Sequence, residues 1–278
     1  MKRLAPFLLS LSLIMSACNI ATNKTPVSDT QSPLIPTLPM GQSLCATPQV
    51  QTNVSCNTLS FYFDPGLAAS FDCKTIPEAN EANAPAWAIT PQFSEVTLTR
   101  YILPTTALPP HIDVFPMARY TEIETTGVVS NRVMGLQSLL TGGVPTGDEL
   151  PLLPVFNAAQ IFHSNYAVIP FINGSGIRYL TMYGQDYGPV SNYAILYTFQ
   201  GLSKDGKTWV SVILPVSNPI LPNDASTLPG GETWDQFMAN FPTYITDVTN
   251  KLNAQDPASF SPSLATLDAL VSSITLLP

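Results

Sequence analysis

Two arms, Tyr193-Ala-Ile-Leu-Tyr-Thr-Phe-Gln200 and Lys207-Thr-Trp-Val-Ser-Val-Ile-Leu214, joined by Gly201-Leu-Ser-Lys-Asp-Gly206, decide the fold of this chain. Both arms are rich in β-branched and aromatic residues, and Asp205-Gly206 supplies a turn residue suited to positive φ. Pro215 ends the second arm because it has no N–H to give to a ladder. Upstream, residues 166–171 and 177–183 flank Asn173-Gly-Ser-Gly176, a second hairpin with two glycines in its turn. Together the two hairpins predict a four-stranded antiparallel meander over residues 166–215.

Outward from the meander, two further strands are expected near 94–101 and 111–116. Val96 and Leu98 alternate with Thr97 and Thr99 in the first, and Ile112 and Val114 alternate with Asp113 and Phe115 in the second. Residues 119–125 read as a polar edge, and residues 59–63 as a short strand before an Asp64-Pro65-Gly66 turn. Amphipathic helices are expected near 128–140, 233–253 and 263–274. Val129, Val133, Leu136 and Leu140 share one face of the first, and Gly142-Gly143 stops it. Trp234, Phe237, Phe241, Ile245, Val248 and Leu252 mark the second, with Pro242 expected to begin a separate segment. Leu264, Leu267, Leu270, Val271 and Ile274 mark the third. The expected class is α+β, a single domain over 44–278. Leu180, Leu196, Val210 and Val212 are apolar opposite the tyrosine positions, so the sheet centre should be covered on both sides.

The first 18 residues carry a different signal. Lys2-Arg3 precedes an apolar run over residues 7–15, followed by Met15-Ser-Ala-Cys18. This resembles the lipobox of bacterial lipoproteins, and the likeness is confined to residues 1–18. The resemblance implies removal of residues 1–17, acyl chains on Cys18 that hold the chain to a membrane, and a place on the extracytoplasmic side of the cell envelope. Residues 18–43, punctuated by Pro26, Pro33, Pro36 and Pro39, then read as a flexible tether.

Charged residues are only 11% of the 278, while hydrophobic residues are 45%, a balance that supports a packed core. The whole chain carries 11 basic and 19 acidic residues; without Lys2 and Arg3 it carries 9 and 19, a net charge of −10. With no basic run, a nucleic-acid partner is excluded.

Cys45, Cys56 and Cys73 open the folded part. In an exported chain two of them should form a disulfide. Spacing leaves the pair open: Cys45–Cys56 closes a small loop, and Cys56–Cys73 staples the 59–63 run to the segment around Phe71. No metal or cofactor motif is present. His163 and Ser164 are neighbours on a strand, pointing to opposite faces, and do not make a nucleophile–base pair. Glu122 and Glu124 would share one strand face about 7 Å apart, a spacing suited to acid–base work, but a solvated edge is the plainer reading.

Tyrosine is the compositional surplus, with six of ten between Tyr166 and Tyr197. Tyr179, Tyr183, Tyr193, Tyr197 and Trp209 are therefore the candidate ligand face, or else the core of the sheet. The expected function is a tethered, non-catalytic binding module for an envelope glycan or protein. A carrier for a lipid or other apolar molecule is the alternative, and a hydrolase stands third. An exposed Tyr/Trp patch beside amides, an aliphatic cavity under the C-terminal helices, or a carboxylate pair in a cleft would separate the three.

Overall fold

The computed structural model describes residues 52–277, apart from 57, 104, 105 and 146–148. By its contacts the chain divides between Thr47 and Pro48, and all described residues belong to the second unit, Pro48–Pro278. Cys18, the expected tether and Cys45 lie outside the described residues.

In chain order the strands and helices are β1 (Val54–Ser55), β2 (Leu59–Phe61), β3 (Ala68–Ile76), β4 (Phe93–Tyr101), β5 (His111–Pro116), α1 (Met117–Ile123), α2 (Val128–Leu140), β6 (Ala159–Phe171), β7 (Gly174–Gly184), β8 (Leu196–Ser203), β9 (Thr208–Pro215), α3 (Trp234–Asn253), α4 (Leu264–Ser272) and β10 (Thr275–Leu276). The fold is α+β. A seven-stranded antiparallel sheet runs β3-β4-β5-β9-β8-β7-β6, so the expected meander forms four consecutive strands at one side. β5 pairs with β9, with Val114 opposite Val210, and thereby attaches the N-terminal strands to the meander. A small second sheet, β1-β2-β10, brings the C-terminus back to the first strands.

Alternation along the strands divides the side chains between two layers of core. One face carries Val96, Ile112, Val212, Phe199, Tyr197 and Leu180, buried with Val248 and Leu252 of α3 and Leu264, Leu267 and Val271 of α4. The opposite face carries Phe115, Trp209, Leu202, Tyr179 and Ile177, buried under Met117 and Tyr120 of α1 and Val129, Leu136 and Leu139 of α2. The expectation of cover on both sides holds. Asp268 of α4 ties that helix to the sheet: Arg178 meets its carboxylate at 3.0 Å, and the Tyr197 hydroxyl donates to it at 2.9 Å.

Local chemistry explains the element ends. α2 stops in a Schellman arrangement: Gly142 takes φ +97°, and the Gly143 N–H donates to the Ser138 carbonyl at 2.9 Å. α3 begins with a capping box, in which the Gln236 N–H donates to Thr233 Oγ1 and the Thr233 N–H donates back to Gln236 Oε1. It then passes through Pro242 without a break. Phe237, Phe241, Val248 and Leu252 form one buried stripe on both sides of the proline, and that packing offsets the lost backbone bond.

Two other expectations are corrected, and one strand was missed. Residues 119–125 are not an edge strand, because α1 buries Met117, Tyr120 and Ile123 at threefold spacing. The glycines of Asn173-Gly-Ser-Gly176 are not turn residues. The turn is Ile172-Asn173, and Gly174 and Gly176 lie within β7. A side chain at Gly176 would sit 2.4 Å from the Phe199 ring and the Gln200 carbonyl, so the strand approach itself requires glycine there. β3, a nine-residue strand, was not foreseen.

The disulfide joins Cys56 and Cys73, with Cα atoms 6.1 Å apart, and fixes the small sheet to β3. Closing a loop of this length stabilises the fold by about 3 kcal/mol through the unfolded chain.

Candidate functional site

The five rings of the sequence-predicted face do not form one surface. Tyr179 and Trp209 are fully buried on the α1/α2 side, and Tyr197 is fully buried on the α3/α4 side. Tyr179 donates its hydroxyl to the Pro151 carbonyl at 2.9 Å, and Trp209 Nε1 donates to Gln200 Oε1 at 2.8 Å. Burial pushes both Tyr179 and Tyr197 well above the ordinary phenol range. These three are core. The reason is geometric: odd and even strand positions face opposite ways, and both faces are covered.

Tyr183 and Tyr193 behave differently. Tyr183 lies at the end of β7, where it lines an open pocket of about 280 Å³ with Phe156, Asn157, Leu108 and Leu196. Its ring meets Phe156 edge-on at 4.9 Å, and its hydroxyl accepts from Gln160 at 3.1 Å. Tyr193, in the β7–β8 connection, is 44% exposed, and its carbonyl accepts from the N–H of Ala107, another lining residue. The pocket is built by residues 107–108 and 156–158 with Tyr183, Ala194 and Leu196, at the end of β7 and the start of β8.

The same connection carries an aromatic set that sequence reasoning missed. Tyr187, 53% exposed, packs on Phe241 of α3 with centroids 4.5 Å apart. Phe241 meets Phe237, and Phe237 meets Trp234, which is 50% exposed at the start of α3. Tyr244 closes the group, its ring 5.1 Å from that of Phe237 and its hydroxyl accepting from the Val190 N–H at 2.8 Å. Two half-exposed rings are thus held rigidly by buried ones. An exposed amide lies two residues before Tyr187, where Gln185 donates to the Asn157 carbonyl at 3.1 Å. Only the joint placement of residue 187 and helix position 234 reveals this patch, and those lie 47 positions apart in sequence with no common period.

The titratable candidates fall elsewhere. Glu122 is on α1, paired with Arg119 at 3.0 Å. Glu124 is buried just past α1, where it accepts from the Thr126 N–H at 2.9 Å and from the Val129 N–H at 3.0 Å. Burial opposes its charge, but these donors at the start of α2 outweigh it and hold the carboxyl below the usual range. It is a cap, and the two glutamates share no face. His163 stands opposite Thr181 and Ser164 opposite Leu180, on opposite sides of the sheet.

A carboxylate pair does exist, on other strands. Glu95 and Asp113 are direct cross-strand partners in a polar row that continues through Ser211 to Gln200. Asp113 is 2% exposed, and its Oδ1 has no hydrogen-bond partner. His111 lies beside it, Nε2 to Oδ2 at 3.7 Å, with Nδ1 2.7 Å from the Pro109 carbonyl. Burial, reinforced by the Glu95 charge, raises Asp113 to about 8, and burial lowers His111. Burial thus favours the neutral form of each group. The row is interior, and Asp113 offers no surface to a substrate.

Among the described residues no group of three or more His, Cys, Asp or Glu is placed to hold a metal ion, and no helix is long and apolar enough to cross a membrane. No protein-family model, curated protein or solved structure matches this chain.

Proposed function

We propose that this chain is an extracytoplasmic lipoprotein, held to a membrane by acyl chains on Cys18, that binds a glycan of the cell envelope without chemistry of its own. The observation that carries the reading is the aromatic end of the sheet. Tyr187 and Trp234 are about half exposed on one stack of rings, and Tyr193 is half exposed next to an open pocket lined by Tyr183, while the other candidate rings are buried. Rigid, half-exposed rings suit the C–H faces of sugars, and neighbouring amides suit their hydroxyls. The mature net charge of −10 favours neutral or cationic glycans over polyanions. A second reading, a carrier for a small apolar molecule, draws on the aliphatic share of the same pocket, Leu108, Ala158, Ala194 and Leu196.

Co-sedimentation with insoluble peptidoglycan, chitin and cellulose tests the proposal. The protein should pellet with at least one of them, and Tyr187→Ala with Tyr193→Ala should weaken binding about tenfold at unchanged melting temperature. Failure to pellet with all three, with saturable uptake of a fluorescent fatty acid instead, would favour the carrier. Intact mass of membrane-extracted protein checks the anchor: loss of residues 1–17 with added acyl mass is expected, and an unmodified soluble chain from the native host rejects it.

A further inference from the structure

The two edges of the large sheet are built in opposite ways. β6 is protected: its register shifts between Gln160 and Phe162 and again between Ser164 and Ala167, Pro170 lies in it, and α3 and α4 pack against it. Bulges, proline and helix cover are the usual means of stopping a further strand from adding. β3 has none of these. From Ser70 to Ile76 it pairs with β4 in one unbroken register, and residues 69–75 are all exposed. Among the described residues no strand pairs with its outer side. Phe71 is 37% exposed on this strand.

The charges on β3 select one occupant. Asp72 and Lys74 are its only ionic residues, and they flank Cys73, the midpoint of the regular run 70–76. An antiparallel strand of the same sequence, related by a twofold axis through Cys73, sets Asp72 opposite Lys74 of the second copy and Lys74 opposite its Asp72. Phe71 then faces Thr75, and Ser70 faces Ile76. Within one chain the two charges lie 2.9 Å apart, each about half exposed, so both are free to turn to the partner. The Cys56–Cys73 disulfide anchors the centre of the strand.

We propose that β3 is a self-recognition edge, through which two copies of this chain join their seven-stranded sheets by antiparallel β3–β3 pairing centred on Cys73. The contact is isologous, so it closes at two copies and does not propagate. One strand edge buries less than a standard interface, so the dimer is weak in dilute solution. Confinement to a membrane surface raises its local concentration.

The test is sedimentation velocity of the purified full chain over a concentration series, in wild type and two variants. Wild type should pass from monomer to dimer. Asp72→Lys places like charges opposite each other twice and should weaken the dimer about tenfold. Asp72→Lys with Lys74→Asp restores both attractive pairs about the twofold axis, and with them the wild-type dimer. Melting temperatures check that each variant is folded; where Asp72→Lys is not, Asp72→Asn replaces it and should weaken the dimer to a smaller degree. A wild-type chain monomeric throughout the series, a dimer indifferent to charge at 72, or no recovery in the double variant each overturns the proposal.

Discussion

The two faces of the seven-stranded sheet are made of different matter. Against α3 and α4 the core is largely aliphatic and aromatic, and its ionic contact, Arg178 with Asp268, ties α4 to the middle of β7. Against α1 and α2 a polar row, Gln200, Ser211, Asp113 and Glu95, crosses four strands beneath the rings. Gln200 is the keystone of that row. Its Oε1 accepts from Trp209 and from the Leu153 N–H, and its Nε2 donates to Thr198 and Ser211. The apolar face is held mainly by area and shape, with the Arg178–Asp268–Tyr197 contact pinning α4 to it. The polar face is held by packing together with the four bonds that Gln200 makes to Trp209, Leu153, Thr198 and Ser211, so single changes there carry penalties beyond lost area.

Trp209 should show the largest effect. Trp209→Ala removes a fully buried ring and leaves Gln200 Oε1 with one donor fewer, at a cost of about 3–5 kcal/mol in chemical denaturation. Trp209→Phe keeps much of the apolar volume and isolates the hydrogen bond, for about 1–3 kcal/mol. An Ala variant with a wild-type midpoint would mean that the ring is not part of the core.

Much of this architecture is legible in the sequence, and the omissions have physical causes. The helix at residues 128–140 is foreseen to the residue, because its apolar positions keep one period and Gly142-Gly143 ends it. The four strands of the meander are foreseen because they are rich in β-branched and aromatic residues and are punctuated by glycine and Asp205-Gly206, although the first turn falls at Ile172-Asn173. β3 is invisible because an exposed edge strand needs no alternation, and Ala-Ala-Ser-Phe-Asp-Cys-Lys-Thr-Ile shows none. α1 is misread because seven residues are too few to distinguish a threefold period from the accidental alternation of Glu122 and Glu124. The tyrosine surplus points to the right segment but the wrong residues. Sequence shows which rings share a strand face, but not that helices cover both faces and leave only the strand ends and connections open.

The pH response sharpens the contrast between faces. Asp113 has a folded pKa of about 8 against 3.8 for the free side chain, so the folded state binds the extra proton between those values. Stability therefore falls as pH rises from about 4 to about 8 and levels off beyond. His111 acts on the other side: burial lowers its pKa, so stability falls as pH drops below the ordinary value of 6.5. The charged and titratable groups facing Asp113 are Glu95, His111 and, from α1, Tyr120. Asp113→Asn mimics the neutral acid. It should match wild type only below about pH 4 and exceed it increasingly above, the gap widening between pH 5 and pH 9 by on the order of 3–4 kcal/mol in paired urea titrations. Equal differences at the two pH values would remove Asp113 from the account.

The β8–β9 hairpin joins the two faces, because its register decides which core each side chain enters. A slip of one residue would carry Trp209 to the apolar side and bring Val210 under α1 and α2, leaving Gln200 without its partners. So large a penalty makes the register insensitive to the turn that connects the strands. Gly206 takes φ +72° there, its N–H donating to the Ser203 carbonyl at 2.9 Å, and no heavy atom lies within 4 Å of where a Cβ would be. Gly206→Val therefore meets only the backbone cost of a β-branched residue at positive φ, about 1–2 kcal/mol. The Ser203 and Lys207 contacts to Asp205 at 2.6 and 3.1 Å remain to hold the turn. Near-ultraviolet circular dichroism of the variant should keep the wild-type Trp209 signal while the denaturation midpoint falls. A lost signal would show that the turn, and not the unequal faces, sets the register.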